Sequence, residues 1–263
     1  MHYRRMKIVA AITMAMSAVV AQAHMPYILP GLFDAGDRQS VAIEAAFTED
    51  AFRPDIAMKD APFEVTGPDG KTLPLPTPTI FDSMTVTEAS LPTDGVYRLS
   101  SGQRLGRMGR MYEEDDIWKM VGEEGQAPAG AKLVDVQSTT LADAYVLRGK
   151  PGATGALAPR GKALEIHPLS DPTAFATDAP ITFELLYAGK GVPDAPITLF
   201  REAGFYDGKR TVVDGRTDSA GRIQLSVTDA GRYLLLARHR IDAPQGATAP
   251  YYSYTVTLAF EVM

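Results

Sequence analysis

Histidine is the residue type in this chain with the clearest potential for chemistry. The 263-residue sequence contains four histidines and no cysteine. The absence of thiols excludes disulfides, thiolate metal sites and cysteine nucleophiles. Nitrogen and oxygen ligands therefore remain for metal chemistry, with methionine as the only sulfur. Imidazole nitrogen suits late transition metals such as Cu, Ni, Co and Zn.

The N-terminus is typical of a cleaved export signal. A basic start is followed by an uncharged run over residues 8–20 and by a small-x-small sequence that ends at Ala23. The apolar run is too short to cross a hydrocarbon core of about 30 Å as a helix. We predict that residues 1–23 are a signal peptide, that the mature protein is periplasmic, and that its first residue is His24.

A terminal His24 would offer two nitrogen ligands from one residue. Its α-amine, with an ordinary pKa of about 7.7–8.0, and its imidazole Nδ1 can chelate one ion in a six-membered ring. This histidine brace favours Cu, Ni, Co or Zn. The copper and nickel tripeptide with histidine third is absent, because Pro26 stands there and has no backbone N–H to deprotonate.

Two further histidines remain after the predicted cleavage. His167 and His239 each end a predicted strand, where the loops of a sandwich gather. Together with His24 they would give three imidazoles and an amine, enough to hold a divalent transition metal ion. We predict His24, His167 and His239 as metal ligands. The alternative for His167 and His239 is a surface or hydrogen-bonded histidine at the end of a strand.

Charge and motifs exclude several other classes. The formal charge is −6, and loss of the three basic residues of the signal makes it −9, which argues against nucleic-acid binding. No phosphate-binding glycine loop, G-x-S-x-G elbow or H-E-x-x-H motif occurs. We therefore predict that the protein is not an enzyme. The acidic run at 113–116 is most simply a solvated face.

The mature chain has the pattern of strands and turns that is typical of an all-β protein. Short runs rich in Val, Ile, Thr, Tyr and Phe alternate with Gly-, Pro- and Asp-containing turns. The predicted strands of the first half are 41–47, 63–66, 84–89, 96–100 and 132–137. Those of the second half are 163–167, 181–187, 197–200, 211–213, 222–227, 232–239 and 252–262. Seven closely spaced strands favour a Greek-key sandwich of immunoglobulin or transthyretin type.

The Gly-, Pro- and Ala-rich segment 149–161 is typical of a linker or long loop. We place a boundary there, which gives an N-terminal β-sandwich domain over 24–150 and a C-terminal immunoglobulin-like β-sandwich over 151–263. Residues 104–125 break the pattern of short strands in the first unit. They are predicted to form either a short helix or an extended insertion. TDGVYRL at 93–99 and DAGRYLL at 229–235 are similar, which indicates either related units or similar turns.

Four segments resemble the NikM-like family of exported bacterial proteins, the periplasmic components of cobalt/nickel-type uptake systems. They are HMPYILP at 24–30, LEIHPLSDP at 164–172, YAGKGVPDAPI at 187–197 with TDSAGR at 217–222, and GRYLLLARH at 231–239. The resemblance implies a periplasmic β-sandwich protein for transition metals, with His24 and His239 at positions where the family tends to have histidine. Met25 and Pro26 depart from the family start, and the family more often has an apolar residue at the position of His167.

The sequence thus predicts a periplasmic protein that binds a divalent transition metal ion (Ni, Co or Cu) and serves metal uptake through a membrane uptake system or outer-membrane receptor. The alternative is a non-enzymatic β-sandwich module for protein interaction or carbohydrate binding, with no metal. A copper enzyme of oxidative polysaccharide cleavage would also start with histidine, but the sequence shows no flat aromatic surface.

Overall fold

The computed structural model describes residues 24–114, 117–122, 125–243 and 245–263. The predicted signal peptide, 1–23, lies outside the described residues. In the part of the chain that the model describes, no helix is both long and apolar enough to cross a membrane.

Nearly all of the regular secondary structure in the described chain is β-strand. The N-terminal strands are β1 (Met25–Pro30), β2 (Ser40–Thr48), β3 (Ile56–Ala57), β4 (Glu64–Thr66), β5 (Thr72–Leu73), β6 (Thr79–Ile80), β7 (Thr85–Ser90), β8 (Gly95–Ser100), β9 (Arg104–Glu114), β10 (Ile117–Met120) and β11 (Leu133–Arg148). The C-terminal strands are β12 (Leu164–Pro168), β13 (Ile181–Tyr187), β14 (Lys190–Gly191), β15 (Pro196–Arg201), β16 (Thr211–Arg216), β17 (Arg222–Leu225), β18 (Gly231–Asp242) and β19 (Tyr251–Val262). A 3₁₀ turn at Gly155–Leu157 and a short helix α1 (Gly204–Asp207) lie between strands.

Three sheets form from these strands. A five-stranded sheet has the order β1-β2-β7-β6, with β3 on β2. A four-stranded sheet has the order β12-β13-β14, with β17 on β13. The central ten-stranded sheet runs β16-β15-β18-β19-β11-β8-β4-β5, and the β9–β10 hairpin joins it on β11.

Strand β11 connects the two halves of the chain. One edge of β11 pairs antiparallel with β9 and then with β8, and the other edge pairs in parallel with β19. Strands from before and after residue 150 therefore share one sheet. The predicted division into 24–150 and 151–263 stays a prediction about folding units.

Successive side chains of a strand point to opposite faces of the sheet. In the central sheet both faces are apolar. In β18, Leu234 and Leu236 pack in a first core with the five-stranded sheet. Tyr233 and Leu235 pack in a second core with the four-stranded sheet. The molecule is thus two β-sandwiches that share their middle sheet, and the predicted all-β sandwich class is confirmed.

Every strand predicted from the pattern is present, with ends that shift by one to three residues in most cases. The exception is the predicted strand 132–137, which runs on to Arg148 as the long β11. The sequence pattern missed β1 and the short strands β3, β5, β6 and β14, and it left 104–125 open. That segment forms the β9–β10 hairpin, so the extended alternative holds for its described residues. Its alternation is broken by Gly106 and Gly109, which explains why the pattern was not decisive.

Candidate metal residues and a polar cleft

His24 lies at the surface immediately before a buried strand. Met25 and Tyr27 of β1 are fully buried, and the Thr257 hydroxyl donates a 2.7 Å hydrogen bond to the Pro26 carbonyl. These contacts hold the chain at the point where the predicted cleavage would expose the amine. The His24 imidazole Nε2 lies 3.8 Å from Oε1 of Glu49, and both side chains are solvent-accessible. His24 and Glu49 therefore form an imidazole–carboxylate pair on the surface.

His167 lies on the outer face of the four-stranded sheet. Its neighbours Leu164 and Ile166 point into the second core, so the alternating His167 points away from it. Its Nδ1 is 3.9 Å from Oε2 of Glu184, beyond hydrogen-bond distance. Glu184 also pairs with Arg222. His167 is therefore a partly buried side chain beside the Glu184–Arg222 ion pair.

His239 lies on β18 of the central sheet, on the face toward the four-stranded sheet, and packs among aromatic side chains. It pairs with Tyr254 in the β18–β19 register, and its ring centroid is 5.9 Å from that of Tyr187. Tyr187 in turn contacts Tyr254, with ring centroids 5.5 Å apart. Burial lowers the pKa of His239, because desolvation disfavours the charged imidazolium. This setting favours a neutral histidine that packs as an aromatic.

The three predicted ligands are not brought to one point. His24 precedes a strand that covers the first core, His239 is on the second-core face of the central sheet, and His167 is on the outside of the four-stranded sheet. Within the described ranges, no group of three or more His, Asp or Glu side chains has the arrangement of a metal site. Of the three histidines, only His24 would have a second nitrogen ligand of its own, the predicted terminal α-amine.

Within the described residues, a cleft of about 410 Å³ lies on the central sheet. Its floor is the second-core face of four strands, where the four-stranded sheet does not cover it, and β12 with the preceding chain forms a wall. The floor carries Thr66, Arg98, Thr139 and Tyr254, from β4, β8, β11 and β19 respectively. Glu64, Arg160 and Lys162 also line the cleft.

Arg160 is held by a buried carboxylate. It donates two hydrogen bonds to Asp143, of 2.7 and 2.9 Å, and one of 2.8 Å to the Ser100 hydroxyl. Its Nε lies 3.5 Å from Glu64. Burial alone would lower the pKa of Arg160, but the attraction and hydrogen bonds of Asp143 outweigh it and raise that pKa. Arg160 is thus charged and largely neutralised by its two acidic neighbours.

Arg98 is a second buried guanidinium at the cleft, with only 7% of its surface exposed. Its NH1 donates a 2.9 Å hydrogen bond to the Ala158 carbonyl. Among the described residues its Nε has no hydrogen-bond partner, and neither does the hydroxyl of Thr139, a residue 1% exposed. Buried polar atoms without partners are rare in folded proteins and call for an explanation.

None of the charged residues of this cleft is predicted as a site from the sequence. One signal was present: Asp143 and Arg98 interrupt apolar strands in LADAYV and VYRL. A charged residue within a buried strand requires a partner. Arg160, the partner of Asp143, lies in the segment whose composition is typical of a linker. Its role is therefore visible only in the folded chain.

The fold and these sites define an all-β sandwich protein with a surface imidazole–carboxylate pair and a polar cleft. The chain belongs to the DUF4198 family, a domain of unknown function, whose model matches residues 21–241. No curated protein matches the sequence significantly.

Solved structures show only distant similarity. The Yersinia pseudotuberculosis adhesin InvE is 13% identical, with a TM-score of 0.22, and the match covers 89% of this chain and 58% of that one. The D0-D1 domain of Intimin is 12% identical, with a TM-score of 0.22 and coverage of 89% and 96%. Escherichia coli alpha-2-macroglobulin is 10% identical, with a TM-score of 0.25 and coverage of 92% and 20%. The present chain thus spans little more than half of the InvE chain, and similarity at this level carries no functional argument.

Proposed function

We propose that the mature protein is a periplasmic, non-enzymatic carrier that binds a divalent transition metal ion of the nickel/cobalt or copper class through His24. The ion is the cargo of the protein, to be passed to a membrane uptake system. Two considerations support the proposal. They are the resemblance to NikM-like periplasmic components and the position of His24 beside Glu49.

The observation that carries the proposal is the 3.8 Å separation between His24 Nε2 and Glu49 Oε1. In a histidine brace the amine and Nδ1 bind the ion, which leaves Nε2 as an N–H group. Histidines that ligate metals commonly donate their other N–H to a carboxylate, which fixes the ring and raises its basicity. A small side-chain movement would bring a Glu49 oxygen within hydrogen-bond distance of this N–H group.

The buried strand β1 supplies the rigidity that such a site needs. Its pairing with β2 sets Met25 opposite Thr48, directly before Glu49. His24 and Glu49 therefore directly flank the paired ends of two adjacent strands, β1 and β2. In this account His167 and His239 take no part in binding, which revises the predicted three-histidine ligand set.

The proposal is tested by metal titration of protein purified from the periplasm, with intact mass used to verify that His24 is the first residue. We expect His24→Ala to abolish saturable Ni²⁺ and Cu²⁺ binding. His167→Ala and His239→Ala serve as matched controls that remove one imidazole elsewhere, and they should keep the affinity of the unmodified protein. Undiminished binding by His24→Ala would refute the proposal.

A further inference from the structure

We propose that the exposed surface around the short helix α1 is where the membrane uptake system docks to receive the metal ion, and that the partner presents carboxylates to it. This docking surface consists of Phe205 and Tyr206 of α1 with Arg53 and Arg210 beside them. The inference rests on the proposed function, because it names the partner of the His24 site and where that partner binds.

The docking surface lies directly beside the proposed metal residue. Glu49, the neighbour of the His24 imidazole, lines a small depression together with Phe205 and Arg210. The Nε of Arg210 lies 2.8 Å from Oδ1 of Asp50, which joins the chain before β16 to the turn after β2. The His24 side chain is itself 39% exposed. A partner that covers α1 would therefore be next to an ion bound at His24.

The residue types of this surface are those of protein interfaces. Tyr206 is 79% exposed and Phe205 is 36% exposed, and their rings meet edge to face with centroids 5.3 Å apart. The guanidinium carbon of Arg53 lies 3.6 Å from the centroid of the Phe205 ring. Aromatic residues and arginine are enriched at protein interfaces and supply most of their binding hot spots. An accessible aromatic pair with a stacked arginine therefore favours contact with a partner protein.

The turn that carries the aromatic pair is held in one conformation. Arg201 forms ion pairs with both Asp207 and Asp229. The backbone N–H of Lys209 donates a 2.9 Å hydrogen bond to Asp207 Oδ1. Gly204 is buried, and a Cβ there would lie 2.3 Å from the Lys209 carbonyl oxygen, so the tight turn requires glycine. A surface that is already rigid loses little conformational entropy on binding, which favours affinity.

The charge of the surface indicates the chemistry of the partner. Arg53 and Lys209 are both exposed, and within the described residues neither is in an ion pair with a carboxylate. They are cationic groups on a protein whose formal charge is −6. Complementary charge steers association and selects among partners. Carboxylates on the partner would pair with Arg53 and Lys209, whereas a basic partner would be repelled there.

The test is metal accumulation by cells of the native host that carry variants of the full chain, with whichever of Ni²⁺ and Cu²⁺ the purified protein binds. Tyr206→Ser combined with Arg53→Gln should reduce accumulation from limiting metal about tenfold, because it removes two interface hot spots. The purified double variant should keep the metal affinity of the unmodified protein, since both side chains are exposed and lie outside the metal site. A loss of that affinity would overturn the assignment of these residues to docking.

A charge series tests the acidity of the partner. Arg53→Glu should reduce accumulation more than Arg53→Gln, because it places like charges opposite each other. Equal accumulation by these two single variants would overturn the inference of an acidic partner. Leu105→Ser combined with Arg107→Gln is the matched control, because it removes one exposed apolar side chain and one exposed arginine on β9. The control should accumulate metal normally, and an equal defect in it would overturn a docking surface specific to α1.

The His24→Ala variant separates this inference from the proposed function. Normal accumulation by Tyr206→Ser with Arg53→Gln, beside a defect in His24→Ala, would overturn the docking surface and leave the proposed function intact. Normal accumulation by both variants would contradict the proposed function and the docking surface together.

Discussion

Arg160 holds Asp143 through two hydrogen bonds, of 2.7 and 2.9 Å, and so fastens the Gly- and Pro-rich segment at 149–161 to the long strand β11. The Asp143 side chain is 4% exposed and that of Arg160 is 17% exposed. Burial and the charge of Asp143 raise the pKa of the neighbouring Tyr145 to about 12. A segment with the composition of a linker is therefore an integral part of the packed structure.

Asp143→Asn should destabilise the protein by about 3 kcal/mol, because it leaves the Arg160 charge buried without its main partner. Urea unfolding of the variant measures this loss. The double variant Asp143→Leu with Arg160→Met should lose less, since it leaves no buried charge unpaired. A change below about 0.5 kcal/mol for Asp143→Asn, the range of ordinary surface substitutions, would show that the pair does not stabilise the fold.

The two similar turn sequences produce the same hydrogen bond. The Tyr97 hydroxyl donates to the Thr93 carbonyl and the Tyr233 hydroxyl to the Asp229 carbonyl, each at 2.6 Å and four residues back. Tyr233→Phe should cost about 1 kcal/mol of unfolding free energy. Tyr97→Phe should cost more, because the Tyr97 hydroxyl also accepts a 2.9 Å hydrogen bond from the Thr93 N–H. Chemical denaturation measures both losses. Unchanged unfolding free energies for the two variants would show that these tyrosine hydrogen bonds do not stabilise the protein.

His239 predicts a pH dependence of stability. Its pKa is lowered in the folded state, so the unfolded chain binds the proton more readily, and stability is lost as the pH falls below the unfolded value of about 6.5. His239→Leu should remove this part of the loss. We expect the unfolding free energy of the variant to decrease less between pH 7.5 and 5.5 than that of the unmodified protein. Parallel profiles for the two proteins would contradict the burial of a neutral histidine.

Glu49 is expected to act as a positioning residue for the His24 imidazole. Glu49→Gln should weaken metal binding about tenfold, as found for the carboxylate partners of ligating histidines. Glu88→Gln, at an acidic residue of the same sheet on β7, is the matched control. If Glu49→Gln leaves the affinity for the metal unchanged, Glu49 has no part in the site.

Local pattern was sufficient to predict strands and class, and insufficient to predict their assembly. The alternation in β13 reports its buried face directly, whereas β18 is a continuous apolar run because both of its faces pack in a core. The sharing of one sheet by β11 and β19 depends on a parallel pairing between residues more than a hundred positions apart, which leaves no mark in local alternation.

The same limit applies to the sites. His24 was identified from its place after a processing sequence, and the structure adds the nearby Glu49. His167 and His239 shared a residue type and a strand-end position, but the faces on which they lie depend on the layer of each strand. The cleft joins four strands and a loop, so no spacing in the sequence could have indicated it.

The most direct test of the metal proposal is a calorimetric Ni²⁺ and Cu²⁺ titration of mature protein that begins at His24, beside the same protein with one extra glycine before it. The extension keeps every side chain and converts the α-amine of His24 into an amide, which breaks the six-membered chelate of that amine with Nδ1. We predict that it weakens binding tenfold or more, a loss of about 1.4 kcal/mol at least. Equal affinity of the two proteins would contradict a metal site built on the N-terminal histidine.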